Sequence, residues 1–202
     1  MSTTTASIDN PSKETSNGAL PDFNAQGLLP EGVHMATAGD LHDRFVTPFP
    51  GSGTRMNIFD NFCRYQAAIA ALGGHATQWV DGSFVDQSRL DPEDVDVVNF
   101  CEFSVLNSLP PDAQIQIAPL LDGRESTKKD YKTHTFLETC FPAGHPYAAN
   151  FETRRKYWRD WFSRPQHYVG PKKVEASWRG RKGIVQMIVG DGKHCPAISG
   201  AT

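Results

Sequence analysis

The chain has 202 residues, 39% of them hydrophobic and 10% aromatic, with a formal net charge of −3. That supports one sizeable core and is too short for two large domains. No stretch approaches the roughly 20 apolar residues of a membrane helix, and Met1 to Gly18 lacks the apolar core of a secretion signal, so the sequence predicts a soluble, cytoplasmic protein.

The net charge hides an asymmetry. Residues 1–123 carry 5 Lys/Arg against 16 Asp/Glu, a balance of −11, and residues 124–202 carry 15 against 7, a balance of +8. Two accounts stand equally: a basic half that holds triphosphate or a nucleic-acid backbone, or opposite charges that help the halves pack. Cys63, Cys101, Cys140 and Cys195 form no Cys-x-x-Cys pair, which predicts reduced, structural thiols; a zinc site built from Cys140, His145, His194 and Cys195 has nothing to fix its ligands.

Residues 1–18 are polar and predict a flexible tail, with a single domain over residues 19–202. From Leu20 to Val33, Pro and Gly recur among single hydrophobics, which predicts an irregular segment over the core. A helix starting near Thr37 or Asp40 carries Leu41, Phe45 and Val46. The clearest helix runs from about Met56 to Leu72, with Ile58, Phe62, Tyr65, Ile69 and Leu72 at helical spacing and Gly73-Gly74 as its stop, and its apolar stripe is expected to face a sheet. Strands are predicted at Thr77–Val80 and Asp94–Phe100. A helix is favoured over Pro110–Leu121, followed by a strand over Tyr131–Leu137, a helix over Tyr147–Phe162 and a late strand over Gly183–Val189. The fold class is α+β, a short mixed sheet packed against helices.

The chemistry concentrates in residues 79–98, where a Gly82-Ser83 turn precedes a connection over residues 84–93 and then Asp94-Val95-Asp96. Alternate strand residues project to one face, so both carboxylates can grip one divalent cation, while backbone donors and the Ser83 hydroxyl hold a phosphate beside it. Solvated acids at a strand end are the bland alternative. Asp81, Asp86, Asp91 and Glu93 are expected in a solvated loop, with Arg89 able to touch a bound phosphate.

This Gly-Ser turn, spacer and Asp-x-Asp resemble the hallmark of the polymerase-beta-like nucleotidyltransferase superfamily. The wider likeness, from Leu20-Pro21-Asp22-Phe23-Asn24 through Leu29-Pro30-Glu31-Gly32-Val33-His34 to Lys182-Gly183-Ile184-Val185, is similar to an uncharacterised bacterial and phage-associated branch and covers most of the chain. The resemblance implies a nucleotidyltransferase-like fold, a nucleoside triphosphate bound at Gly82 and Ser83, and Mg2+ or Mn2+ held by Asp94 and Asp96. It also implies a third carboxylate on a neighbouring strand. Here that strand offers His134, with Asp130 as second choice. Asp130, His134 and Glu138 share a face, but successive even positions lie roughly 6.6 Å apart, so only one can sit beside the pair. Imidazole suits manganese or other transition ions better than magnesium.

On the substrate side, Arg154, Arg155, Lys156 and Arg159 interleave with Phe151, Tyr157, Trp158, Trp161 and Phe162. This reads first as a core-packing helix with a solvated basic back, and second as a source of phosphate contacts such as Arg155; Lys128 and Lys129 are placed similarly. Residues 164–182, with Tyr168, Lys172, Lys173 and Trp178, are either an RNA-contacting loop or a solvated connection. The resulting expectation is nucleotide transfer from a triphosphate to an acceptor hydroxyl on RNA such as tRNA, or on protein, in a toxin–antitoxin or phage-conflict setting with a cognate regulatory protein. The competing expectation is a catalytically silent relative that binds nucleotide, nucleic acid or a partner protein.

Overall fold

Helix formation starts where the side chains can close a capping box. The Thr37 hydroxyl accepts from the Asp40 amide (3.2 Å) and the Asp40 carboxylate accepts from the Thr37 amide (2.8 Å), fixing the start of α1, Ala38–Phe45. The next helix, α2 (Arg55–Ala71), buries Ile58, Phe62, Tyr65 and Ile69 along one stripe and stops at Gly73, whose φ of 74° is the left-handed conformation that ends helices.

The structure is a computed structural model that describes residues 19–169 and 172–190, without the side chains of 167–169 and 172–173. The expectations for the tail 1–18, for Gly170 and Pro171, for His194 and Cys195, and for the Tyr168, Lys172 and Lys173 side chains lie outside the described residues.

Five strands form one sheet: β1 (Val33–Met35), β2 (Ala76–Asp81), β3 (Val95–Glu102), β4 (Thr133–Cys140) and β7 (Ile184–Val189), in the order β1-β7-β2-β3-β4. β2 runs antiparallel to β3 and β7, whereas β3 with β4 and β1 with β7 are parallel, so the sheet is mixed. Between these lie α3 (Phe103–Ser108), α4 (Pro111–Leu121), α5 (Glu125–Tyr131) and α6 (Ala148–Phe162), and a two-stranded hairpin of β5 (Gln166–Val169) and β6 (Lys172–Glu175). This is the expected α+β class. Among the described residues no helix is long and apolar enough to cross a membrane.

Several local expectations are corrected. The segment expected to be irregular from Leu20 to Val33 gives way at Val33 to an edge strand, Val33–Met35, because the backbone there finds a free edge on β7. Helix α3 follows directly from β3 and was not foreseen. The strand expected from Tyr131 begins only at Thr133: residues 125–131 are helical, with Glu125 in the first turn and Lys128 and Lys129 in the last, matching the helix dipole, and Lys132 (φ 53°) closes the helix in the left-handed region. The supposed connection 164–182 contains the β5–β6 hairpin. Cys63 and Cys101 are free thiols, but Cys140 is disulfide-bonded, against the expectation of four reduced cysteines.

Strand parity divides the core between the two faces of the sheet. Val80, Val95, Val97, Cys101, Val185 and Met187 pack with the stripe of α2 and with Leu41, Phe45, Ile117 and Leu121. Trp79, Val98, Phe100 and Ile184 point the other way, onto Phe151, Trp158 and Phe162 of α6. A buried polar thread crosses the first layer: the Asn99 side-chain oxygen accepts from the Tyr65 hydroxyl (3.0 Å) and from Gln78 (2.8 Å), and its amide donates to the Leu121 carbonyl (3.0 Å). These partners satisfy groups that would otherwise be costly to bury.

The connection between β2 and β3 is held by Arg55, which lies on the buried stripe of α2 and is 1% exposed. Its guanidinium donates to the carbonyls of Phe45, Phe84, Asp86, Arg89 and Leu90 at 2.5–3.2 Å and lies 3.9 Å from the Phe49 ring centroid. Burial lowers its pKa to about 10, so it remains a cation at neutral pH. Beside it, buried Asp86 accepts two hydrogen bonds from buried Arg179, at 2.7 and 2.9 Å.

Substitution Arg55→Met leaves five carbonyls without donors and is expected to destabilise the fold by more than about 3 kcal/mol, read from urea unfolding. For Asp86, burial opposes ionisation, but the bonds from Arg179 and Ser88 outweigh it and hold the carboxyl below the usual carboxylate range. A depressed folded-state pKa stabilises above the unfolded value near ~3.9 and loses that contribution as pH falls through the folded one. The stability gap between the parent and Asp86→Asn should therefore be full at pH 7 and shrink below about pH 4.

Candidate metal and phosphate site

The site forms at one end of the sheet, on the face that also receives α6. Asp96 is in register with Asp81 of β2 on one side and with His134 of β4 on the other, so three strands deliver three polar side chains to one face. Asp94, one residue before β3, reaches the same place. One ligand atom from each of Asp94, Asp96 and His134 lies within 4.8 Å of the others. His134 Nδ1 is 3.1 Å from Asp96 Oδ1, and this hydrogen bond, with the neighbouring carboxylates, raises the imidazole pKa against the opposing effect of burial. Lys128 of α5 places its ammonium 2.9 Å from Asp94 Oδ2.

Two carboxylate oxygens and an imidazole nitrogen suit a borderline divalent ion. A spacing within 4.8 Å lets a single ion approach all three at about 2.0–2.4 Å. Asp130, the alternative third ligand, is an exposed residue of α5 and does not join them. Glu138 is two alternations further along β4, where Arg154 and Trp158 of α6 donate to its Oε1.

Gly82 ties the acids to the turn. A Cβ at this position would stand 2.4 Å from Asp96 Oδ2, and the residue adopts φ +88°, so the close approach and the backbone both require glycine. Gly82 and Ser83 also wall a cavity of about 190 Å³, completed by Asp86, Ser88, Arg89, Gln166 and Lys182. Asp94, Asp96 and His134 stand beside this cavity rather than in its wall; Gly82 is the residue that borders both. Arg89 lines the cavity, with its Nε donating to the Asp91 carbonyl at 3.0 Å. Lys128 stands at the acids. Lys129 is exposed, and Arg155 pairs with Glu152 on α6 at 2.8 Å, so neither lines the cavity.

Two residues set aside as loop acids, Asp81 and Asp86, prove to be buried in ion pairs, and Lys182 had been given no role in the site. Asp81 is buried at the end of β2, 2.8 Å from the equally buried Lys182, whose Nζ also reaches the Gly82 carbonyl at 3.3 Å. Burial pushes the Asp81 carboxyl up to about 7, with Lys182 opposing and nearby Asp96 reinforcing the shift. Parity with buried Trp79 was the signal for Asp81; for Lys182 it was the position two residues before the strand that pairs with β2.

No curated protein and no solved structure matches the chain. A protein-family model, described as a family of unknown function (DUF6932), matches residues 21–188.

Alanine at Gly82 is expected to destabilise the protein by at least about 1–2 kcal/mol from backbone conformation alone and to displace the Asp96 carboxylate; unfolding curves together with Mn2+ titration by electron paramagnetic resonance read both effects. Metal affinity should rise with pH through and above the ordinary histidine range, because the imidazolium of His134 competes with the cation and its pKa is raised. In His134→Ala that component of the pH dependence should disappear from calorimetric titrations.

Proposed function

Because the chain belongs to DUF6932, whose description carries no activity, the site itself must supply the reading, and we propose a metal-dependent nucleotidyltransferase of the polymerase-beta-like type. The observation that carries this is the convergence of Asp94, Asp96 and His134 beside a glycine–serine turn whose glycine touches both Asp96 and the cavity. A short mixed sheet with that turn after β2 and the acids at the start of β3 supports the same reading.

In this proposal Asp94, Asp96 and His134 hold Mg2+ or, better suited to the imidazole, Mn2+. The bound ion supplies Lewis-acid polarisation of the α-phosphoryl group and charge neutralisation for departing pyrophosphate. The chain's own groups do the rest. Backbone amides of the Gly82-Ser83 turn and the Ser83 hydroxyl hold phosphate oxygens, and Arg89 and Lys182 set a positive wall beside them. The Asp81–Lys182 pair fixes the turn from beneath. The acceptor hydroxyl belongs to an RNA such as tRNA, or to a protein, and the setting we favour is a toxin or phage-conflict system with a cognate regulatory protein.

One observation favours a second reading. The Lys128 ammonium already neutralises Asp94 at 2.9 Å and His134 hydrogen-bonds Asp96, so each acid has a partner without a metal ion. A silent relative that binds nucleotide without transferring it would retain that arrangement.

Incubation with each α-labelled triphosphate, Mg2+ or Mn2+, and total RNA or protein separates the readings. Transfer should depend on metal and fall on the order of 10³-fold in Asp94→Asn and Asp96→Asn, the loss of several kcal/mol of charge stabilisation. Triphosphate binding without transfer selects the silent reading, and absence of both rejects the two together.

A further inference from the structure

Helix α6 presents to solvent a side-chain row that neither the core nor the acid site uses. Its inner face is spent on the sheet through Phe151, Trp158 and Phe162. Along one flank, at spacings of three and four, stand Arg154, Tyr157 and Trp161, in one stripe about 10 Å long, and Arg164 follows two residues after the helix ends. Tyr157 is 47% exposed and Trp161 50%, unusual for rings of this size with a core immediately beside them. The two rings are offset and nearly parallel, 6.2 Å between centroids and 14° between planes. The Arg154 guanidinium lies 5.2 Å from the Tyr157 centroid, and Arg164 closes the row beside Asp160 and Glu175.

We propose that this stripe is a stacking platform for single-stranded nucleic acid. Charge complementarity selects the occupant: the row has a guanidinium at each end, Arg154 with 51% and Arg164 with 40% of its side chain exposed, and no acid between them in the row, so an anionic polymer is favoured over a neutral or cationic one. Ring geometry selects the strandedness, since two parallel exposed faces accept unpaired bases, whereas the stacked bases of a duplex offer no face to them. Arg154 retains exposed guanidinium surface while anchored to Glu138, which positions it for a phosphate at low entropic cost. The platform joins the acid site through a ring series on one sheet face: His134 to Phe136 at 4.6 Å, Phe136 to Trp158 at 4.7 Å, and Trp158 to Tyr157 at 5.2 Å. The inference does not rest on nucleotide transfer; a silent protein would keep it.

Fluorescence anisotropy of labelled oligo(U) and oligo(dT), with a duplex of equal phosphate number, tests it on the full chain. Single strands should bind more tightly than the duplex, Trp161→Ala and Tyr157→Ala should each weaken them about tenfold, and Trp161→Phe should restore most of the loss. A preference for either sugar supports the proposal and identifies RNA or DNA as the source. Asp96→Asn should leave this binding unchanged, which keeps the outcome separate from that of the transfer assay. Equal affinity for duplex, or unaltered binding in both aromatic variants, would reduce the surface to non-specific electrostatics and overturn the proposal. Absence of binding overturns it too, as does self-association that sedimentation shows to be lost in Trp161→Ala, which would make a second copy the occupant.

Discussion

The contact between Gly82 and Asp96 constrains everything around it. A side chain at residue 82 would overlap the Asp96 carboxylate, so β2 can end beside β3 only through a residue without Cβ and with positive φ. The antiparallel register places Asp81 opposite Asp96, and the parallel register places His134 on its other side. One acid is thus bounded by a buried carboxyl–ammonium pair, a backbone turn and an imidazole. Shifting any strand by one residue would send its polar side chain to the opposite, apolar face.

Holding that arrangement requires the chain between the turn and the acids to be rigid, and the structure achieves this with buried cations as well as with the packing of Phe84 and Val85 into the core. Arg55 collects carbonyls from the connection, and Arg179 reaches across from the far end of the chain to Asp86 and to the Gln26 carbonyl. A guanidinium with five donors can satisfy an irregular loop that has no strand to pair with. The two arginines therefore do for the connection what cross-strand hydrogen bonding does for the sheet.

The sequence made periodic and register-determined features readable. The α2 stripe, the Thr37 start of α1 and the strands around Gly82 and Asp96 follow from spacing and turn chemistry, whereas alternation put His134 and Glu138 on one face and the resemblance chose between them. What it hid depends on partners far along the chain. Arg55 occupies a stripe position that pattern reading assigns to an apolar residue, and Asp86 looks like a loop acid until Arg179 is beside it. Helix α5 was masked because Tyr131 and the β-branched residues after it read as one strand, and only the left-handed Lys132 separates them. The same pattern put Asp130 on a strand it never joins.

The charge asymmetry divides in a similar way. Several bases of the second half find acids of the first: Arg179 with Asp86, Lys182 with Asp81, Lys128 with Asp94 and Arg181 with Glu31. To that extent the opposite charges serve packing, and they are concentrated at the strand ends where the acids would otherwise repel one another. The α6 bases are different: Arg154 and Arg155 pair within the second half, with Glu138 and Glu152, while Lys156 and Arg159 line a pocket that Glu31 of the first half shares. The charge of the acid site is accordingly damped by local pairs, while α6 keeps four bases against the two acids of its own length.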